Sequence, residues 1–418
     1  MNRQTNGNLT CTSCLKRTIA FIILFLFSIS MDVPRASASG YAVFTQSSSS
    51  LGQAAAVVSH TDSPSTIFFN PALMNKLEGT QLEIGTTLLF PARKFKSDAT
   101  GKSCETKDDV FYPSTLYLSH QFNATVSAGI GLFNPFGLGT DWGGTWEGRY
   151  IATNSEIQTY NINPALSFRL TPRLFLAAGL DILFLDATLK SKINSGMGFD
   201  IGQTFKGDGR GVGYNVGLLY DVTDHISLGV AYRSEIKVNV EGRGKFSPQI
   251  PTVLENSSGE ADVTLPQQVF VGVSYKGFDR LILEMGLRWE DWSCFRQLKV
   301  KFDNGMPAPP QPRRWNDTFA YNLGAEYRYN DMVTLRTGYL YGKNPVPDST
   351  FDPSIPDSDT HLFTIGGGLN FGNCTVDLAY AYQMQEDRKK KNTIGGGSAN
   401  GKYTTDIHIL AASIQYRF

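Results

Sequence analysis

From residue 80 onward the chain repeats one pattern: about ten or more residues alternating apolar and polar, then a break. A period of two belongs to a strand, because successive side chains leave opposite faces. Tyr160, Ile162, Leu166, Phe168 and Leu170 share one face, and Asn161, Asn163, Ser167 and Arg169 the other. Leu281, Leu283, Met285, Leu287 and Trp289 oppose Glu284 and Arg288; Phe319, Tyr321, Leu323, Ala325 and Tyr327 oppose Asn322, Gly324, Glu326 and Arg328. Fourteen such segments can be counted, at about 80–96, 110–121, 124–134, 155–170, 173–190, 210–221, 225–241, 262–276, 279–302, 315–329, 332–342, 360–371, 373–386 and 403–418. Past the N-terminal segment no apolar run approaches the roughly 18 residues of a membrane helix, so a chain that stays in a membrane must cross it with strands.

The connections support the same reading. Short ones centre on Phe122-Asn123, Thr171-Pro172, Thr223-Asp224, Gly277-Phe278, Asn330-Asp331 and Gly372-Asn373. They alternate with long ones at 97–109, 135–154, 191–209, 242–261, 303–314, 343–359 and 387–402. Short turns on one side and long loops on the other are the arrangement of an outer-membrane barrel. The fold class predicted is all-β: a transmembrane antiparallel β-barrel of about fourteen strands. A soluble sandwich also alternates, but tyrosine rarely caps both ends of its apolar faces. Glycine (41), tyrosine (18) and phenylalanine (27) are abundant, as a polar lumen with aromatic belts requires. The last strand ends on an aromatic, Phe418.

Ahead of the strands stand two further segments. Lys16 and Arg17 precede the apolar core Ile19 to Phe27, and Ala36-Ser37-Ala38 is a small-x-small cleavage site. Residues 1–38 therefore read as a signal peptide. Residues 39–79 are small and weakly apolar, without strand alternation. Such chain is best accommodated inside the barrel of residues 80–418, where Ser47 to Ser50 and Ala54 to Ala56 can approach the wall. Pro71 ends it, restricting Asn70 to extended or turn geometry.

Formal net charge is zero, so nothing points to nucleic acid. Cys11 and Cys14 leave with the signal; Cys104, Cys294 and Cys374 remain, an odd number that allows one pair at most. No metal, nucleotide or redox cofactor is implied. A lipid-hydrolysing barrel enzyme is the reading from another class. Against it, Ser119 and His120 fall on opposite strand faces and His60 lacks a matched nucleophile.

Several short stretches then carry a likeness. They are Gly40-Tyr41, Ser50-Leu51-Gly52-Gln53-Ala54, Phe69-Asn70-Pro71-Ala72, Asn134-Pro135-Phe136-Gly137-Leu138-Gly139-Thr140, Trp146-Glu147-Gly148-Arg149-Tyr150 and Asn344-Pro345-Val346-Pro347-Asp348. In this order the chain resembles the FadL/TodX family of outer-membrane transporters for long-chain fatty acids and other hydrophobic compounds. The resemblance implies an N-terminal hatch plugging the lumen, with Phe69, Asn70, Pro71 and Ala72 at the gate. It implies passive transport: an apolar ligand captured among the outer loops and released sideways through the barrel wall. The family places that exit at a kink in the third strand, here Gly131, Asn134 and Pro135. Partners are then a fatty acid or an aromatic or alkane hydrocarbon, and outer-membrane lipid, for a monomer.

Candidate binding residues follow. Phe133, Phe136, Leu138, Trp142 and Trp146 make an aromatic run that is either a capture groove or a loop core. A carboxylate ligand needs a cation. Arg149, Lys190, Lys192, Arg313, Arg314 and Lys343 lie at strand tops or in loops, and Lys190, Lys192 and Arg314 are the preferred clamps. Fatty-acid members use a basic residue on the fifth strand, where this chain has Asp186, with Lys190 and Lys192 farther out. That departure keeps a neutral hydrocarbon in play. The lumen charges Arg169, Glu284, Arg288, Glu326, Arg328, Arg336 and Asp377 are expected to pair or to hold the hatch.

Overall fold

The structure, a computed structural model, describes residues 40–60, 63–250, 253–305 and 310–418; the signal segment and its two cysteines lie outside the described residues. Fourteen antiparallel strands close into a barrel. They are β1 (Thr80–Ser97), β2 (Ser114–Gln121), β3 (Val126–Phe133 and Gly137–Asp141), β4 (Asn154–Arg169) and β5 (Leu174–Asn194). Next come β6 (Asp200–Asp221), β7 (Ile226–Arg233 and Ile236–Ser247), β8 (Ser257–Leu265 and Gln268–Phe278), β9 (Leu281–Glu290) and β10 (Thr318–Arg328). The last are β11 (Val333–Gly342), β12 (Thr360–Asn370), β13 (Cys374–Gln385) and β14 (Gly401–Arg417). β1 pairs with β14 from Gln81↔Arg417 to Ser97↔Gly401, so no edge is left open.

Alternation sorts the faces as the sequence predicts. Met285, Tyr321, Leu323 and Tyr327 are exposed on the outer wall, while Glu284, Glu326 and Arg336 are buried inside. The short turns are made by polar side chains that bond their own backbone. Asn123 accepts from the N–H groups of Thr125 (2.8 Å) and Val126 (3.0 Å), and Asn330 from those of Met332 (2.9 Å) and Val333 (2.7 Å). No helix among the described residues is long and apolar enough to cross a membrane. Cys104, Cys294 and Cys374 are all free thiols.

Four boundaries differ from the sequence reading. The loops expected at 191–209 and 242–261 are largely strand, since β5–β6 and β7–β8 run on beyond the apolar band. Alternation persists there, but the outward positions become charged because water replaces lipid. Glycines permit the close pairing of β6 and β7: a Cβ on Gly209 would lie 2.3 Å from the Asn239 carbonyl oxygen. The segment 279–302 is not one strand; it stops at Glu290, turns through Trp292–Cys294, and rejoins the sheet at Val300–Phe302. β3 continues past residue 134 after a break.

Residues 40–60 and 63–77 pack against inward faces around the barrel. A short helix α1 (Ser48–Gly52) is capped by Ser47, whose hydroxyl accepts from Ser50 N–H at 3.1 Å. Glycines in the wall admit it: a Cβ on Gly366 would lie 3.0 Å from Gly52 Cα. A second helix α2 (Thr66–Phe69) leads into a 3₁₀ turn at Pro71–Lys76. Asn70 starts that turn, accepting from Ala72 N–H (3.2 Å) and donating to the carbonyls of Val58 (2.8 Å) and Leu218 (3.0 Å).

Charged wall residues grip this segment by its backbone. The Glu284 carboxylate accepts from the N–H groups of Val58 and Ser59, from the Ser59 hydroxyl (2.7 Å), and lies 2.7 Å from His60 Nδ1. Arg233 donates to the carbonyls of Ile67 (3.0 Å) and Phe68 (3.0 Å), to Asn163 (3.0 Å), and pairs with Asp181 at 2.6 Å. Arg336 joins Glu326 (2.9 Å) to Asp377 (2.6 Å). Each buried charge thus finds an opposite charge or several dipoles, which its desolvation demands. Arg288 is 3.5 Å from Glu290, whereas Arg169 and Arg328 are exposed.

Candidate functional site: an upper chamber and a break in the wall

Above the internal segment, apolar side chains from six strands and three loops converge on a narrow chamber. Leu185, Ala187 and Leu189 come from β5, Phe205 from β6, Val240 from β7, and Ala261 and Val263 from β8. Alternation puts these odd-numbered β5 residues inward, so Lys190 falls on the exposed outer face. Loop residues Phe295, Leu298 and Ile355 close the top, and Tyr41 the side. Almost every lining atom is apolar; Ser155, Ser354, Tyr41 and Arg313 bring the polar groups.

Arg313 is 3% exposed. Its guanidinium pairs with Asp352, donates to Gln311 Oε1 (3.0 Å) and Ser354 Oγ (3.1 Å), and stands 6.0 Å from the Phe295 ring. Its Nε has no acceptor among the described residues, and neither do the Tyr41 hydroxyl and Trp315 Nε1. Tyr41 sits in an aromatic cage, 4.6 Å from Trp292, 5.9 Å from Trp315 and 6.1 Å from Phe295 by ring centroids. Burial holds its phenol well above the ordinary range, so it remains a hydrogen-bond donor. Burial likewise pushes the neighbouring Cys294 thiol up to about 12.

Beside the chamber the wall is broken. Below Asn134, β3 pairs with both β2 and β4; above it, Gly137–Asp141 pairs with β4 alone. Pro135 has no N–H for a ladder. Thr159 of β4 takes over, accepting from Phe136 N–H (3.0 Å) and donating to the Phe136 carbonyl (2.6 Å). Asn134 spans the break, donating to the Thr159 carbonyl (2.6 Å) and accepting from Ser114 N–H (3.2 Å). The freed edge of β3 is occupied by the N-terminal residues: Val43 N–H donates to Pro135 (2.8 Å) and Gly137 N–H to Tyr41 (2.9 Å). A cavity of about 620 Å³ runs through this gap, from lumen residues such as Gln383 and Ile407 to the outward-facing Tyr160. Tyr41, Leu138 and Ile157 line both it and the chamber.

The sequence candidates divide accordingly. Leu138 lines both cavities and Phe136 lines the gap. Trp142 and Trp146 stack on each other at 4.8 Å beneath Phe95 and Tyr403, away from either cavity. Phe133 belongs to the lower cluster with Phe68 (5.2 Å) and Tyr117 (5.9 Å). Lys192 is 3.8 Å from Asp200, in the loop cluster that holds Arg149. Arg314 is exposed; its φ of 48° turns the chain so that Arg313, not Arg314, faces the chamber. Phe69, Asn70, Pro71 and Ala72 form the buried floor, and Gly131 lies just below the break. Tyr41 and Thr159 were not singled out from sequence. Tyr41 carried a signal, as part of the Gly40-Tyr41 pair that opens the likeness; Thr159 carried none.

Comparison with known proteins agrees with this geometry. The chain is 23% identical over 434 residues to a long-chain fatty acid transport protein of Escherichia coli, covering 94% of this chain and 97% of the relative. It is 24% identical over 415 residues to a 47 kDa outer membrane protein of Pasteurella multocida, covering 92% and 95%. Its fold matches the crystal structure of a Pseudomonas aeruginosa FadL homologue, with TM-score 0.82, 23% identity, and coverage of 91% of this chain and 100% of that one. The Pseudomonas putida toluene transporter TodX matches with TM-score 0.74, 18% identity, and coverage of 92% and 99%. Residues 31–418 match the family model for outer membrane protein transport proteins (OMPP1/FadL/TodX). The chain belongs to this family, outer-membrane proteins of Gram-negative bacteria that transport hydrophobic compounds.

Proposed function

We propose that this protein is a passive, monomeric transporter of long-chain fatty acids. The observation that carries the ligand class is the donor set at the edge of the apolar chamber. The Arg313 Nε, the Tyr41 hydroxyl and Trp315 Nε1 are buried donors without acceptors, and an unpaired buried donor costs about 1–3 kcal/mol. A carboxylate satisfies such donors; the chamber itself holds only about 30 Å³ in this structure, so an acyl chain enters by parting Leu185, Leu189, Phe205, Val240 and Val263. A neutral hydrocarbon is the second reading. It is favoured by Asp352, which already neutralises Arg313.

Residues 39–79 act as the hatch, and release is lateral. The ligand passes Tyr41 and leaves through the break between β2 and the upper half of β3, so its apolar chain need not cross water. Opening requires residues 41–43 to leave the β3 edge. Titration of the purified protein with oleate, oleyl alcohol and toluene tests the ligand class. Preference for oleate, lost in Arg313→Gln, is expected. Equal binding of the neutral compounds by both proteins would assign a hydrocarbon channel instead.

A further inference from the structure

The wall of β5–β8 rises above the apolar band on the loop side, and its outer face changes character there. Phe184 and Val212 are the last exposed apolar side chains within β5 and β6 themselves, below Met197 and Phe199 of the connecting turn. Six or more residues farther along stand four exposed cations on three neighbouring strands: Lys190, Lys206, Arg243 and Lys245. Lys206 and Arg243 are direct cross-strand partners. Lys190 and Lys245 lie one step above, on either side of Thr204. In a pleated sheet this puts each of the other three within about 5–8 Å of Lys206 at Cβ.

Like charges placed so closely repel one another, and among the described residues no close ion pair relieves them. Lys237 and Lys301 on the same wall have carboxylate partners, each at 3.1 Å. The four cations have none within ion-pair distance among the described residues. The nearest acidic groups instead form their own row below: Asp186, Asp208, Glu241 and Glu260 are matched in register across β5 to β8. That row repels an anion from the level of the acyl boundary and leaves the level of Lys206 open to it.

We propose that this quartet docks the phosphorylated core sugars of lipopolysaccharide, the glycolipid of the outer leaflet around the barrel. Three observations select this occupant. The cations face sideways, away from the lumen, so a transported ligand does not meet them. They stand six or more residues beyond Phe184 and Val212, roughly 20 Å along a strand, at the height of sugars that project from the membrane and not of its acyl boundary. Their clustering suits a polyanion with several phosphates rather than a single carboxylate. The acidic row beneath assigns the contact to the core sugars and not to the phosphates at the base of the glycolipid. This surface is independent of the fatty-acid reading, since it shares no residue with the chamber.

The test titrates the full-length purified protein with lipopolysaccharide carrying a phosphorylated core, with the same glycolipid lacking core phosphates, and with the lipid anchor alone. The phosphorylated form is expected to bind at least about tenfold tighter than the other two. The preference should vanish in the variant Lys190→Gln/Lys206→Gln/Arg243→Gln/Lys245→Gln. An unchanged β-sheet circular dichroism spectrum and thermal transition show that this variant is folded. Equal binding of all three glycolipids by the unmodified protein overturns the proposal without recourse to any variant. So does a variant that keeps the preference, or a preference for the lipid anchor alone.

Discussion

Buried charged and aromatic groups serve different ends in the lower and upper halves of the lumen. In the lower half, Glu284, Arg233 and Arg336 are matched to backbone groups and opposite charges, so that the internal segment is bound to the wall at many points. In the upper half, Arg313, Tyr41 and Trp315 keep unpaired donors beside an almost wholly apolar chamber. The first arrangement is how a protein fixes a shape, because each satisfied group resists displacement. The second is how it waits for a ligand, because an unmet donor gains on binding what it lacks alone. The break in β3 lies on the boundary between the two.

If that division is right, the largest effect comes from breaking the lower half. Glu284→Ala strands the N–H groups of Val58 and Ser59 and takes the carboxylate away from His60 Nδ1. It is expected to cost about 3 kcal/mol or more. Limited proteolysis should then cut within residues 40–77, and single-channel recordings should show nonspecific conductance. Intact residues 40–77 and silent channels would mean that the segment is held by packing instead.

The upper half should respond in ligand preference, on top of the stability lost when Arg313→Gln breaks the buried pair with Asp352. Arg313→Gln removes a charged donor worth about 1.5–3 kcal/mol, so oleate binding is expected to weaken by about ten- to a hundredfold while oleyl alcohol changes little. A parallel loss for both ligands would remove the contrast drawn between clamp and donor set.

A smaller effect is expected at the boundary. Thr159→Val deletes the hydroxyl that holds Phe136 on both sides, a loss of about 1 kcal/mol. Faster hydrogen exchange at residues 136–141, with the lower half of β3 unchanged, is the expected outcome. The smallest effect concerns Cys294. With its thiol raised to about 12, it is protonated at pH 8, and only the thiolate reacts. Alkylation there should be slow, and should quicken as pH climbs toward that value. Rapid labelling at pH 8 would show the chamber wall to be open.

Most of the barrel was legible because lipid on one side and a polar lumen on the other force alternation residue by residue. The tight turns were legible for a similar reason, since Asn123, Asn330 and Asn370 each bond their own backbone. Strand tops were not. Beyond Phe184 and Val212 the outer face meets water, so charged residues such as Lys206 and Arg243 imitate a loop composition while still alternating. Choosing between Arg313 and Arg314 needed a backbone angle that sequence does not announce. Thr159 acts through a neighbour brought to it by pairing 23 residues away, and no local pattern marks it. Lys190 read as a lumen cation until the register put Leu185, Ala187 and Leu189 on the inner face.

The central claim is that ligand leaves through the gap that residues 41–43 cover. Ala42 and Phe136 are antiparallel bridge partners across it, close enough for a disulfide. The measurement is oleate uptake into vesicles by Ala42→Cys/Phe136→Cys, with the three remaining native cysteines changed to serine, before and after reduction. The account predicts little uptake when oxidised, recovery on reduction, and oleate binding in both states. Equal uptake by the oxidised and reduced forms would contradict it.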